Sequence, residues 1–132
     1  VIGVTDDDMV VLVRQFRYPY KETIYEIPAG KLEKGEDPFE AGKREFKEET
    51  GGVAEEYISL GEIYPSPGYT NEIIRLYAAK NITFEEQNLD DDEFLQVCQI
   101  SFDELIRRIM SGEIKDAKTI AAAFKLKELM NK

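Results

Sequence analysis

The sequence predicts an α/β domain in which a mixed sheet is flanked by helices, and three observations predict it. Short apolar runs bounded by turn residues, such as MVVLVRQF (9–16), read as buried strands. Segments opening at Asp37, Ser101 and Asp116 carry capping residues and helical periodicity. Strands and helices then mix in an order that is not a simple βαβ repeat, so a sheet with both pairing senses is expected.

Taken in order, Asp6-Asp7-Asp8 is a solvated hairpin turn ahead of the strand 9–16. TIYEIP (23–28) is a second short strand, ended by Pro28, which has no N–H to donate to a ladder. A glycine-containing loop, 29–37, leads into a helix. Asp37 is its N-cap, Pro38 suits its first position and Glu40 completes a capping-box spacing. Phe39, Gly42 and Phe46 share one face and should pack on the core. Gly51 or Gly52 can take the left-handed conformation that stops the helix. Strands are expected at 57–64 and 73–79, joined by the turn SPGYTNE (66–72). An acidic run, Asp90-Asp91-Asp92-Glu93, precedes the strand FLQVCQI (94–100). Ser101 caps a helix that Gly112 ends. A last helix over 116–130 should turn Ile120, Phe124 and Leu129 inward.

Composition narrows the function. At 132 residues the chain is the size of one ordinary domain, expected to span 1–132, and can bury a core without disulfides. No apolar run approaches a membrane span and no signal pattern is visible, so no membrane partner is expected. The lone cysteine, Cys98, fits a reducing cytoplasm and reads as a small buried hydrophobe. There is no histidine, which removes Ser-His-Asp and Cys-His catalysis and imidazole zinc sites. A net charge of −10 argues against nucleic-acid binding through phosphates. It leaves room for a small anionic ligand, because a bound cation inverts the local sign.

Between Gly30 and Gly51 the acidic residues are concentrated. Glu45, Glu48 and Glu49 are helical neighbours at i, i+3 and i+4. They would destabilise an isolated helix, the more so in its C-terminal half, where the macrodipole disfavours negative charge. The bland reading is a solvated face balanced by Lys43, Arg44 and Lys47. A hard divalent cation held among the carboxylates is the functional one. The wider spacing favours the second: residues of common types at the seven fixed offsets of Gly30, Glu36, Arg44, Glu45, Glu48, Glu49 and Gly51 should coincide by chance on the order of once in 10⁸ start positions.

Gly30-x5-Glu36-x7-Arg44-Glu45-Phe46-x-Glu48-Glu49-x-Gly51 resembles the Nudix box, G-x5-E-x7-R-E-U-x-E-E-x-G-U, where U is a large apolar residue. Gly52 departs from the aliphatic residue that ends the box. The resemblance implies the Nudix α/β/α sandwich and hydrolysis of a nucleoside diphosphate linked to another moiety, with Mg2+ or Mn2+ against the pyrophosphate. It implies Glu45 and Glu49 as metal ligands, Glu48 as a further ligand or base, and the Ala29 carbonyl as an additional ligand. Gly30 would let the backbone approach metal and phosphates. Arg44 would orient the glutamates, and Glu36 would be structural or outer-shell.

Flanking motifs are similar to the ADP-ribose pyrophosphatase branch: RQFR (14–17), YEIPAG (25–30), Pro67 within SPGYTNE, the DDDEF run and GEIKDAKT (112–119). That likeness implies water attack on ADP-ribose, giving AMP and ribose 5-phosphate, with Glu93 as general base and Asp91 as the alternate. Arg17 would meet the pyrophosphate, Glu26 would help fix substrate or water, and Pro67 and Gly68 would border the substrate. Alternatives within the fold are a nucleoside-triphosphate sanitising enzyme and a non-catalytic ligand-binding or regulatory domain. Members of the branch carry an N-terminal β-subdomain that binds adenine and supports a homodimer. Here eight residues precede Met9, so that subdomain is expected to be absent or truncated.

Overall fold

The computed structural model describes residues 1–30, 32–86 and 95–131. Among them one sheet contains β1 (Ile2–Val4), β2 (Met9–Arg17), β3 (Glu22–Glu26), β4 (Gly52–Ile63), β5 (Ile74–Phe84) and β6 (Gln96–Ser101). The helices α1 (Pro38–Thr50), α2 (Phe102–Met110) and α3 (Ala117–Leu129) pack on it. β1 pairs parallel with β5 and the remaining pairs are antiparallel, so the sheet is mixed, as expected.

β2 organises the sheet. One of its edges carries β6, from Met9↔Ser101 to Arg14↔Gln96. The other edge takes β1 at Val10 and Val11 and then β3 from Val13 to Arg17. Since β1 and β3 share that edge, β3 has to leave it after Glu26. Ile27, Pro28, Ala29 and Gly30 therefore turn off the sheet, and the Val1 nitrogen donates to the Pro28 carbonyl at 2.9 Å where the two strands meet. This parting of strands opens the cleft described below.

Side chains alternate across the strands with period two. Ile2, Val4, Val10 and Leu12 face α2 and α3, clustering with Ile27, Leu76, Ala78, Phe102, Leu105 and Leu126. Val11 and Ala79 face the other way and enclose Phe46 of α1. The result is a three-layered α/β/α sandwich, the architecture the resemblance implied.

The capping signals place α1 as read. Asp37 is extended (φ −66°, ψ 133°) and accepts from the Glu40 N–H at 3.1 Å, with Pro38 at the start. Gly51 ends the helix at φ 77° and donates to the Lys47 carbonyl at 2.8 Å. A side chain there would also collide with the Glu85 backbone, which donates back to the Gly51 carbonyl at 2.7 Å. The departure at Gly52 has a packing cause: a Cβ at Gly52 would overlap the fully buried Phe46 ring. A large aromatic within the box thus fills the room that the aliphatic residue at its end would need.

Several expectations are corrected. β1 is an additional three-residue strand, forming a hairpin with β2 through the Asp-rich turn, where Asp8 has φ 65°. β4 and β5 are longer than 57–64 and 73–79, running back to Gly52 and on to Phe84. β4 is an edge strand, so charged residues such as Glu55 and Glu56 sit on it in solvent, which masked its strand character. In α3 the inward stripe is Thr119, Ala122, Ala123 and Leu126, whereas Phe124 is 37% exposed and Leu129 54%. Positions i, i+3, i+4 and i+7 set that face, and its two alanines let the helix lie close to the sheet. Ile120 does pack on the core. Cys98 packs against the core as well, and burial pushes its thiol pKa up, away from the reactive thiolate.

Candidate active site

Where β1 and β3 part, a cleft of about 1010 Å³ opens. Ala29 and Gly30 form part of its wall, Glu45 and Glu49 project from α1, Gln15 and Arg17 come from β2, and Lys118 comes from α3. Residues that the sequence spreads over a hundred positions thus meet at one opening.

On the α1 side, Arg44 organises the carboxylates. Its Nε and Nη2 donate to the two oxygens of Glu36 at 2.8 and 3.0 Å. Its Nη1 donates to Glu45 Oε1 at 2.7 Å and to Glu48 Oε2 at 3.1 Å. The hydrogen bond to Glu36 raises the Arg44 pKa most, with Glu45 adding to it against the opposing effect of desolvation. The same hydrogen bond from Arg44 lowers the Glu36 carboxyl below its ordinary range. Glu36 also accepts from the Glu33 N–H at 3.1 Å, tying the loop to the helix. Arg44 thus ties Glu36, Glu45 and Glu48 together through hydrogen bonds. The Glu45 carboxylate lies so close to Gly30 that a Cβ there would overlap its Cδ and Oε2. Glu49 is buried at 6% exposure.

Across the cleft, Glu26 is the centre. It is 2% exposed, and Arg17 grips it with a fork, Nε to Oε2 at 2.7 Å and Nη2 to Oε1 at 2.9 Å. Lys118 Nζ donates to the same Oε1 at 2.6 Å and to Asp116 Oδ2 at 3.0 Å. Burial pushes the Glu26 pKa up, but the hydrogen bonds from Arg17 and Lys118 outweigh it and leave the carboxyl below its ordinary value. Arg17 is raised, chiefly by its hydrogen bond to Glu26. Asp116, the N-cap of α3, also accepts from the Thr119 hydroxyl at 2.6 Å, and Thr119 Oγ1 accepts from the Ile27 N–H at 2.9 Å.

Of the residues read from sequence, Arg17, Ala29, Gly30, Glu45 and Glu49 line the cleft. Glu48 is drawn to Arg44 beside it, and Glu26 stands behind Arg17. Pro67 and Gly68 are exposed in the turn where Tyr69 and Thr70 donate to the Ser66 carbonyl; that loop reaches the cleft only at Glu72 and Ile73. Glu93 and Asp91 lie outside the described residues. Lys118 was not singled out, because a lysine two residues into a helix gives no sign of a carboxylate 92 positions away. Its signal was the motif GEIKDAKT, quoted above for its likeness alone.

The sandwich, with a glutamate-bearing helix set against a strand-end loop, defines a class, and comparison with known proteins agrees. The NUDIX domain family model matches residues 1–123, and the chain belongs to that family. It is 41% identical over 124 residues to the ADP-ribose pyrophosphatase of Bacillus subtilis (strain 168), a match covering 92% of this chain and 67% of the relative. It is 44% identical over 124 residues to the methanol dehydrogenase activator of Bacillus methanolicus, with the same two coverages, 92% and 67%. The chain thus spans about two thirds of the length of each relative. A crystal structure of an ADP compounds hydrolase superposes with a TM-score of 0.86 at 22% identity, covering 98% of this chain and 71% of that one, which is a likeness of fold.

The family and its hydrolases imply a divalent cation, and the residues present suit one. Carboxylate and carbonyl oxygens are the donors a hard cation takes, and such cations usually complete their shell with water and substrate phosphate. Glu45 turns Oε1 to Arg44 and Oε2 toward Gly30, with the backbone close because no side chain intervenes. Among the described residues no three acidic side chains converge into a closed cluster.

Proposed function

We propose that this chain hydrolyses the pyrophosphate bond of ADP-ribose or a related nucleoside diphosphate sugar, releasing AMP (or the corresponding nucleoside monophosphate) and a sugar phosphate. One observation carries the reading: a single cleft joins the carboxylates of Glu45 and Glu49 to the guanidinium of Arg17, with Gly30 at the bend. A pyrophosphate needs both, a metal-binding wall for its charge and a cationic wall for its orientation.

Mg2+, or Mn2+ in its place, would be held by Glu45, Glu49 and the Ala29 carbonyl, with Glu48 as a further ligand or base. When bound it neutralises developing charge on the phosphate oxygens and acidifies an attacking water. Arg44 keeps Glu45 and Glu48 in register. Arg17 pairs its guanidinium edge with phosphate oxygens. A water oxygen bonds to phosphorus, the bridging P–O bond breaks, and the water proton passes to a carboxylate. Glu93 is the proposed acceptor, with Asp91 the alternate. Pro67 and Gly68 belong to the proposed substrate border. The same reading includes a single domain over 1–132, a small nucleotide substrate, no nucleic-acid partner, a homodimer and a cytoplasmic setting suited to the lone Cys98. Among the described residues no helix is long and apolar enough to cross a membrane.

The B. subtilis relative supports this reading, and so does the full set of box carboxylates, which a non-catalytic domain has no reason to keep. The name of the B. methanolicus relative favours a second reading, activation of another enzyme. Both are tested on the full-length protein that carries this chain, with a panel of ADP-ribose, other nucleotide sugars and dNTPs. We expect AMP release from ADP-ribose that chelator stops and Glu49→Gln nearly abolishes. Full activity of that variant, or activity in chelator, overturns the metal role. Fast dNTP cleavage with little ADP-ribose turnover selects the sanitising alternative, and binding without turnover in excess Mg2+ selects the regulatory one.

A further inference from the structure

We propose that Lys118 is a positioning residue for substrate phosphates: by gripping Glu26 from behind, it makes Glu26 hold Arg17 edge-on to the cleft. The inference rests on the proposed function, which assigns the phosphates to this cleft, and adds a residue that the sequence analysis did not single out.

The geometry is a relay of three side chains. Glu26 Oε1 is shared between Lys118 Nζ at 2.6 Å and Arg17 Nη2 at 2.9 Å, while Oε2 takes Arg17 Nε at 2.7 Å. A guanidinium is planar and carries five N–H groups. Two of them are spent on Glu26, so the remaining edge, around Nη1, is turned away from it. Arg17 lines the cleft and its side chain is 43% exposed, against 3% for Glu26 and 11% for Lys118. Lys118 borders the cleft as well, but its ammonium is engaged by Glu26 and Asp116, so carboxylate and ammonium form the fixed base and the more exposed guanidinium faces the opening.

Lys118 is needed because one cation cannot serve both purposes. A carboxylate buried this deeply requires its lone pairs satisfied. Without Lys118, Arg17 would be the sole cation on Glu26 and would turn inward to replace the lost donor, withdrawing from the phosphates. Lys118 is itself pinned by Asp116 at 3.0 Å. Asp116 also holds Thr119, whose hydroxyl accepts from the Ile27 N–H. The start of α3 therefore grips two successive residues, Glu26 and Ile27, immediately before the Ala29–Gly30 bend. The four ionic groups Arg17, Lys118, Glu26 and Asp116 balance in charge, so the base is stable before any anion arrives.

A double-mutant cycle in the full-length protein separates positioning from mere burial. Lys118→Met, which keeps the aliphatic stem, should raise the KM for ADP-ribose about 10-fold and leave kcat within about 3-fold, a binding signature that simple destabilisation does not produce. In an Arg17→Ala background the same change should add less than about 2-fold, because its effect runs through Arg17. An unchanged KM in Lys118→Met overturns the proposal, as do losses that multiply, which would mean that Lys118 meets the phosphates itself. Should Lys118→Met not fold, Asp116→Asn keeps a helix cap while loosening the lysine. It should raise KM about 3-fold, by a partial loss of the same coupling, and an unchanged KM there is equally fatal. If wild type does not cleave ADP-ribose, the proposed function has failed instead. The cycle is then read in the binding of inorganic pyrophosphate by calorimetry without metal, where the same non-additivity in Kd is expected and additivity overturns the relay.

Discussion

On α1 one arginine is held by carboxylates; at the end of β3 one glutamate is held by cations. Arg44 stands within 4 Å of Glu33, Glu36, Glu45 and Glu48, one positive charge among four negative ones. Glu26 is clasped by Arg17 and Lys118, with Asp116 behind the lysine. The first group keeps a surplus of negative charge beside the cleft, and the second is balanced and presents a guanidinium edge. Packing alone does not need this opposition. A ligand that is both anionic and metal-bridged does, because it asks for a cation-hungry wall and an anion-seeking one.

The largest effect should come from Gly30, where the α1 group touches the backbone of the opposite wall. Gly30 does not need the left-handed region, so Gly30→Ala costs little in backbone terms, yet its methyl would overlap the Glu45 carboxylate. We expect kcat/KM for ADP-ribose to fall about 100-fold or more, since misplacement by about 1 Å is enough for such a loss. The thermal midpoint should hardly move. Wild-type turnover in Gly30→Ala would remove Glu45 from the proposed metal-binding wall and break the comparison at its centre.

Arg44→Lys is the next test. An ammonium keeps the charge but cannot fork to both oxygens of Glu36 while reaching Glu45 and Glu48. Activity should fall about 10- to 100-fold as the carboxylates lose their common orientation. Titration of Mn2+ followed by relaxation or calorimetry should show weaker binding in the same variant. Unaltered metal affinity would mean that Arg44 serves the fold rather than the site.

The two groups also differ in how far they could be read from sequence, and the reason is physical. Every member of the α1 group lies between Glu33 and Glu48: helix periodicity brings Arg44, Glu45 and Glu48 together, and Glu33 and Glu36 sit in the short loop just ahead of the Asp37 cap. The Glu26 group is assembled by the sheet and by α3. The β2–β3 register pairs Arg17 with Glu22 and Glu26 with Val13, so the Arg17 side chain has to reach along the hairpin to Glu26, and Lys118 arrives only once α3 has docked. The same limit explains α3 itself. Phe124 is more apolar than Thr119, yet Thr119 is fully buried, because a specific hydrogen bond to Ile27 outranks hydropathy at that position. β1 was missed for a related reason: three residues carry no periodicity, and the strand exists through its partners β2 and β5. Gly52 shows the converse, a departure from the box that becomes intelligible once the Phe46 ring is seen in its place.

The smallest expected effect concerns stability against pH, and it distinguishes the two groups by burial. Glu26 and Glu36 both have folded pKa values below their ordinary ones. A depressed carboxyl contributes stability above its unfolded pKa, about 4.3 for glutamate, and loses it as pH falls through the folded value. Glu26→Gln should therefore lower the urea midpoint at pH 7, and its deficit against wild type should shrink only below the ordinary glutamate value of about 4.3, as pH falls through the lowered folded value. Glu36→Gln should follow the same direction with a smaller deficit, since its side chain is 18% exposed against 3% for Glu26. Salt separates them further: 1 M NaCl, with a Debye length of about 3 Å, should shrink the Glu36 deficit and leave that of Glu26 nearly intact. Equal salt sensitivity would mean that the Glu26 group opens to water as readily as the α1 group. Arg17 would then have no fixed base from which to meet a phosphate.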